Sequence, residues 1–409
     1  MRRSLGRSSW LSLVLATAAT LPGLAIRLGL LEVSVGLATI LYGAAIMGAA
    51  FLLSWAAEVA QLDISQTLAI AVLAIIAVLP EYAVDLFLAF RAGQGDEDSL
   101  HFAVANMTGA NRLLIGIGWA TVVLVYWAKA RKREVRLRPV QRIDVGYLLL
   151  ATLWAFSIPL RRQLSLLDLV VLGALFIAYI FRAAREEVEE PELIGAAALL
   201  GSLSRRIRRI STVVLFVFAA VAILASAEPF AHGLIDIGED FGINPFLMIQ
   251  WVAPLASESP EMIVAILFTV RLKAQAGLGT LISSKVNQWT LLVGTLPLVF
   301  AIGGGAGGGF GAPMHMDPRQ VEEVFLTAAQ SLFAVAVIAN LSISRNEAIA
   351  LLVLFLGQLG FEAPAVRYGF AIAYLVLTVG VLLFHAEARR SLWDSIVHVV
   401  RPSRSRGGG

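Results

Sequence analysis

Residues 74–90 read AIIAVLPEYAVDLFLAF, and residues 253–268 read APLASESPEMIVAILF. Each is an apolar run broken once by a proline with a glutamate directly behind it, Pro80-Glu81 and Pro260-Glu261. A carboxylate at bilayer depth is costly unless paired or wetted, so it marks function by default. The proline lacks an N–H and releases the carbonyl about one turn earlier, near Ile76 and Ala256. Two broken helices, each joining a freed carbonyl to an acid, supply what a dehydrated cation needs.

Working outward, the 409 residues are 58% hydrophobic and only 15% charged, too apolar for an ordinary soluble protein. Long apolar runs recur along the whole chain, which reads as an all-α polytopic membrane protein in contact with the lipid bilayer. With no cysteine, disulfides, thiolate metal sites and thiol catalysis are excluded. The formal net charge of +3 does not point to nucleic acid, because the excess base sits in short loops beside hydrophobic segments, where it sets orientation. The start, with Arg2, Arg3 and Arg7 ahead of an apolar run, has the form of a signal peptide. Arg27 and a second run from Val33 favour a retained first span.

Twelve spans are expected, at about 9–31, 34–60, 65–91, 100–127, 144–160, 165–183, 209–232, 244–271, 277–302, 320–342, 345–361 and 365–386. With the N-terminus inside, the basic loop 128–143, the linker 184–208 with its arginines, and the C-terminal tail are all cytoplasmic. Only Arg161-Arg162 falls outside against the rule. The expected location is a plasma or inner membrane with both termini cytoplasmic. Superposing the two Pro-Glu steps lays residues 77–118 over 257–294 as an internal repeat. The domain reading is 1–33 as tail and extra helix, 34–183 as first repeat, 184–208 as linker, 209–362 as second repeat, and 363–409 as extra helix and basic tail. Five spans per repeat force opposite orientations, the inverted-repeat architecture of transporters with ion sites at the midplane.

At these residues the chain resembles the calcium/cation antiporter superfamily, of which sodium/calcium exchangers are the type. That family carries a Gly-Thr-Ser-Leu-Pro-Glu helix followed by a Gly-Asn-x-x-Gly-Ser-Asn helix in each repeat. The first copy here has Pro80-Glu81 and then Ala105-Asn106-Met107-Thr108-Gly109-Ala110-Asn111. The second has Ala256-Ser257-Glu258-Ser259-Pro260-Glu261 and then Gly279-Thr280-Leu281-Ile282-Ser283-Ser284-Lys285. The resemblance implies two inverted five-helix repeats and exchange of Ca2+ against Na+ or H+. The departures are Ala77-Val78 for the Thr-Ser pair, Ala110 for a serine and Lys285 for the last asparagine. They deplete sodium-binding hydroxyls and tilt the reading toward proton-coupled exchange.

Residue by residue, Glu81 and Glu261 are the expected core cation ligands, with Glu258 an added acid. Ser257, Asn106, Thr280, Ser284 and Gln288 are expected as supplementary oxygens, the last three sharing one helical face at four-residue spacing. Asp85 lies four residues after Glu81 and Glu258 three before Glu261, so each shares a face with its neighbour. Lys285 is expected to be a tethered cation that pairs with Glu258, Glu261 or Glu81 and is displaced by the incoming ion. Alternatively it snorkels or closes a static salt bridge. Arg112 is expected as a fixed counter-charge to Asp85. Together Lys285, Asp85 and Arg112 form the expected charge-coupling set. Glu58 and Glu228 are possible gates, and Met314-His315-Met316 is expected in an exposed external loop.

No nucleophile triad, phosphate loop or nucleotide motif occurs, so no enzyme is expected, no nucleotide partner, and no cofactor beyond a transiently bound Ca2+ or Na+. The rival class is an exchanger-fold protein that does not transport because Lys285 and Arg112 fill its site. A channel is disfavoured, since so many acids and bases at one locus would trap ions.

Overall fold

The computed structural model describes residues 2–63, 79–185, 193–359, 361 and 363–400. The Ile76 carbonyl, Ala77-Val78 and the acidic run from Glu186 to Glu192 lie outside them. In chain order the elements are α1 Arg2–Arg27, α2 Val35–Ala60, α3 Leu79–Gly93, α4 Glu97–Leu113, α5 Ala120–Ala130, β1 Glu134–Arg136 and α6 Arg142–Ala155. There follow β2 Gln163–Leu164, α7 Leu166–Ala183, α8 Gly195–Gly201, α9 Arg205–Asp240, α10 Ala253–Val270, α11 Ala274–Asn287 and α12 Val293–Ile302. The last are β3 Met314–His315, α13 Pro318–Ile338, β4 Ser342–Ser344, α14 Arg345–Gln358, α15 Pro364–Phe384 and α16 Ala386–Val400. Three π-helical stretches, Leu114–Trp119, Met248–Val252 and Gln288–Leu292, run into α5, α10 and α12.

Among the described residues, ten helical segments are long and apolar enough to cross a membrane. Each expected span overlaps helix among the described residues. The third is α3, described for 15 residues, and the eleventh is the 14-residue α14. The seventh is longer than expected, because α9 runs unbroken for 36 residues through Pro229.

The chain forms two compact units. The first comprises Met1–Ala110, Glu187–Ile263 and Leu298–Ala312. Its frame is α1, α2 and α9, packed through small residues that let backbones approach. A Cβ on Gly48 would meet Ala19, and one on Gly43 would meet the Phe230 ring at 2.8 Å. Past the end of α2, Asp63 gathers Arg205, Arg208 and Arg209 of α9, with Arg208 Nε 2.7 Å from its carboxylate. Further along, the Gly43–Phe230 and Thr39–Gly233 contacts show that α2 and α9 run antiparallel.

The second unit comprises Asn111–Glu186, Val264–Pro297 and Pro313–Gly409. A two-stranded ribbon pins each end: β1 pairs with β4 through Val135 and Ile343, and β2 with β3 through Leu164 and Met314. Helix starts are capped where the sequence offers the means. Asp317 accepts from the Gln320 N–H at 2.6 Å to open α13, and Ser344 accepts from the Glu347 N–H to open α14. Helix α13 is the most enclosed, with 89% of its apolar window buried.

One expectation is corrected here. Met314 is fully buried in the β2–β3 ribbon and Met316 nearly so, leaving only His315 exposed, because ribbon pairing turns alternate side chains inward. Between the last expected span and the basic tail 401–409, which lies outside the described residues, α16 folds back along α6. Ser391 accepts from Arg142 at 3.0 Å, and a Cβ on Gly146 would meet Val399 at 2.6 Å.

Candidate cation site

In the first unit, α3 and α10 bring the two Pro-Glu steps together. Pro80 is the second described residue of α3, with Glu81 directly behind it. Pro260 sits inside α10 and frees the Ala256 carbonyl. Glu81 is 2% exposed, its carboxyl hydrogen-bonded to Ser257, with Glu261 and Asp85 close enough to act on it through space. The Glu81 Oε1 atom has no hydrogen-bond partner among the described residues. Glu258 is completely buried and Glu261 half-buried, three residues apart on one face of α10.

Asp85 follows one turn after Glu81 and is completely buried. Asn106 of α4 donates from Nδ2 to Asp85 Oδ1 at 2.9 Å. Asp85 Oδ2, Asn106 Oδ1 and the Tyr82 hydroxyl have no partner among the described residues. Buried oxygens without donors are rare and call for a proton, a water or an ion. No three acidic or histidine side chains among the described residues converge tightly enough to chelate a metal. A hard divalent ion wants roughly six to eight oxygens, so neutral and backbone oxygens must complete its shell.

Gln250, which the sequence reading passed over, belongs to the same unit. It is 1% exposed in the Met248–Val252 π-helical stretch, and its Nε2 lies 3.4 Å from Thr108 Oγ1. A Cβ on Gly109 would run into the Gln250 carbonyl, so α4 and this stretch touch backbone to backbone. A glutamine seven residues before the Ser257-Glu258 pair in an apolar run was the available signal.

The remaining expected residues belong to the second unit. Lys285 of α11 is completely buried. Its Nζ donates to Asn111 Oδ1 at 2.6 Å and to the Asn111 carbonyl at 3.3 Å, and lies 4.3 Å from the Trp289 ring centroid. Asn111 and Lys285 are the last residues of the two repeated motifs, so equivalent positions meet. The π-helical stretches beginning at Leu114 and Gln288 also start at equivalent positions, three residues further on. Ser284 of α11 and Gln288, which opens the next π-helical stretch, are buried. Thr280 is exposed and donates to the Ala276 carbonyl at 3.1 Å, which corrects its expected place among inward-facing oxygens. A threonine hydroxyl readily bonds the carbonyl four residues back, and nothing buries this one.

Arg112 is also corrected. Its Nη2 lies 2.5 Å from Glu323 Oε2 of α13, both side chains being nearly fully buried, whereas Asp85 pairs with Asn106. Arg367 of α15 holds Glu322 at 2.7 Å and lies 3.9 Å from Glu323. Two arginines and two glutamates thus form a neutral buried quartet. Adjacent glutamates inside an apolar span were its sequence signal. Of the possible gates, Glu228 pairs with Arg27 at 2.8 Å. Glu58 buries an Oε2 that has no partner among the described residues.

Comparison with known proteins decides the family. The profile described as sodium/calcium exchanger protein matches the chain twice, over residues 33–184 and 211–363. The chain belongs to the sodium/calcium exchanger family. It is therefore a multi-pass membrane protein of a cation antiporter family. A crystal structure titled as the H+/Ca2+ exchanger CAX is 44% identical, with TM-score 0.91 over 96% of this chain and 98% of that one. The structure of native YfkE, 15% identical, matches with TM-score 0.59 over 91% of this chain and 100% of that one. The sodium-calcium exchanger NCX_Mj, 18% identical, matches with TM-score 0.52 over 80% and 99%. These last two speak to fold alone. No curated protein matches by sequence.

Proposed function

We propose that this exchanger-family protein moves Ca2+ against H+ by alternating access, with Glu81 and Glu261 as the principal carboxylate ligands. The observation that carries the reading is the meeting of these two acids from two proline-marked helices, with Ser257 beside them. Glu258 and the Ala256 carbonyl add oxygens from α10, and Asp85 and Asn106 add them from α3 and α4. The 44% identity to an H+/Ca2+ exchanger supports protons as the counter-ion, as does Ala77-Val78 in place of the family's Thr-Ser pair. The inverted arrangement of the repeats, the inner or plasma membrane, and cytoplasmic termini belong to the same proposal.

Lys285 is the charge-coupling residue of this reading. In this reading Lys285, whose Nζ meets the Asn111 amide oxygen and the Trp289 ring, gives up its proton as the cation binds. Arg112 is paired with Glu323 of α13. The rival reading, a site permanently filled by Lys285 and Arg112, predicts no transport at all.

The test is ion flux in proteoliposomes under imposed pH or Na+ gradients, comparing wild type with Lys285→Asn. Ca2+ movement driven by the pH gradient supports the proposal. Movement driven only by Na+ refutes the proton as counter-ion, and no movement supports the rival. An unchanged proton-to-Ca2+ ratio in Lys285→Asn removes the lysine from the mechanism.

A further inference from the structure

The turn between α6 and α7 carries the one basic pair that runs against the orientation rule, Arg161 and Arg162. The structure accounts for Arg161. Its Nη2 lies 2.5 Å from Asp168 Oδ1, it donates to Ser157 and Ser165, and its guanidinium stacks 5.7 Å from the Trp154 ring centroid. Arg162 has no such account. It is exposed, and its guanidinium makes no hydrogen bond or ion pair among the described residues.

Arg162 instead forms part of the wall of a cavity of about 470 Å³, a volume in the usual range of small-ligand sites. The rest of the wall is Phe156, Pro159 and Leu160 from the turn, Val321 and Phe325 of α13, and Tyr368 of α15. Phe325 sits between Phe156 and Tyr368, with centroid separations of 5.9 and 6.0 Å. Each of these residues lies within about two turns of the end of a spanning segment, Pro139–Arg161, Pro318–Ile338 or Pro364–Phe384. The cavity therefore sits at the boundary between headgroups and acyl chains. Leu160, 85% exposed, continues its apolar surface outward. An uncompensated guanidinium on an aromatic, apolar hollow at that depth matches an amphiphile with an acidic head and a hydrocarbon chain.

We propose that this cavity holds an anionic phospholipid of the adjoining leaflet, its phosphate on Arg162 and one acyl chain along Phe156, Phe325 and Tyr368. Arg162 is then placed against the orientation rule because it recognises a ligand. The phosphate receives two parallel N–H donors that a lysine cannot present in the same way.

The test uses the full chain in mixed vesicles with spin-labelled phosphatidylglycerol or phosphatidylcholine, reading the immobilised fraction by electron spin resonance. Wild type is expected to favour phosphatidylglycerol about fivefold, the preference one basic side chain confers at an anionic surface. Arg162→Gln should bring that ratio near one without changing ion flux. Val321→Trp, which fills the hollow, should reduce retention of both labelled lipids. An unchanged ratio in Arg162→Gln, or retention unchanged in Val321→Trp, overturns the proposal. Displacement of the label by oleate but not by unlabelled phosphatidylglycerol makes the ligand a free fatty acid and overturns the phospholipid assignment.

Discussion

Replacing Glu323 by glutamine is the sharpest perturbation of the second unit. The wild-type quartet of Arg112, Arg367, Glu322 and Glu323 is neutral, and the Arg112–Glu323 pair is 2% and 4% exposed with a 2.5 Å contact. Glutamine keeps the shape and leaves one uncompensated guanidinium charge. Breaking a buried pair from one side costs about 3–5 kcal/mol, because the remaining charge is still desolvated. At roughly 2 °C per kcal/mol for a unit of this size, the unfolding midpoint should fall by about 6–10 °C. Tryptophan fluorescence on heating in a mild detergent at neutral pH reads it. The double variant Arg112→Met/Glu323→Met removes both charges and should recover more than half of the loss, a coupling that only a direct interaction gives. A midpoint shift below about 1 °C in Glu323→Gln, or additive losses in the double variant, would refute the assignment of this pair.

Gly109→Val should abolish the folded protein or its flux, since any Cβ there meets the Gln250 carbonyl, and overpacking of this kind costs about 1–3 kcal/mol or more; size-exclusion profile and flux together check it. Asp63 is held down to about pKa 2 by its hydrogen bond to Arg208, aided by Arg209. A depressed carboxylate pKa contributes stability above its unfolded value near 3.8 and loses it as pH falls toward 2, so Asp63→Asn should flatten that acid limb in urea titrations. Gly146→Leu would push Val399 and Ser395 away, and should expose the α16 segment to added protease at least tenfold faster while α13 stays protected. Thr280→Val should leave the Ca2+ half-saturation constant within about twofold, whereas Ser257→Ala should raise it about fivefold or more, the worth of a hydrogen bond to a charged group.

The spans were legible because bilayer thickness imposes a long apolar run that hydropathy reads directly. The Pro-Glu steps were legible for a related reason: an acid inside such a run has few explanations. Pairing was harder to read. Arg112 reads in sequence as a fixed counter-charge to Asp85, but α13 presents Glu323, 211 residues away, and Asp85 is met by Asn106. Long-range partners in a helical bundle depend on which faces meet, and one sequence does not carry that. Thr280 shows the limit of periodicity, since a shared helical face does not say that the face is buried along its whole length. Gln250 was hidden by the π-helical stretch around it, which changes the angular spacing on which face assignments rest. Helix α16 was concealed by its arginines and serines, which read as a tail until Gly146 supplied the hollow that Ser395 and Val399 fill.

The most direct test of the central claim is Ca2+ uptake into proteoliposomes with an acidic lumen, comparing wild type with Glu81→Gln and Glu261→Gln. Each variant keeps shape and removes one of the two carboxylate charges that meet in the first unit. The account predicts uptake in wild type that collapses when the pH gradient is dissipated, and a loss of at least a hundredfold in either variant, in line with the cost of removing a charged ligand from a buried site. Uptake persisting in both variants at more than a tenth of the wild-type rate would contradict it.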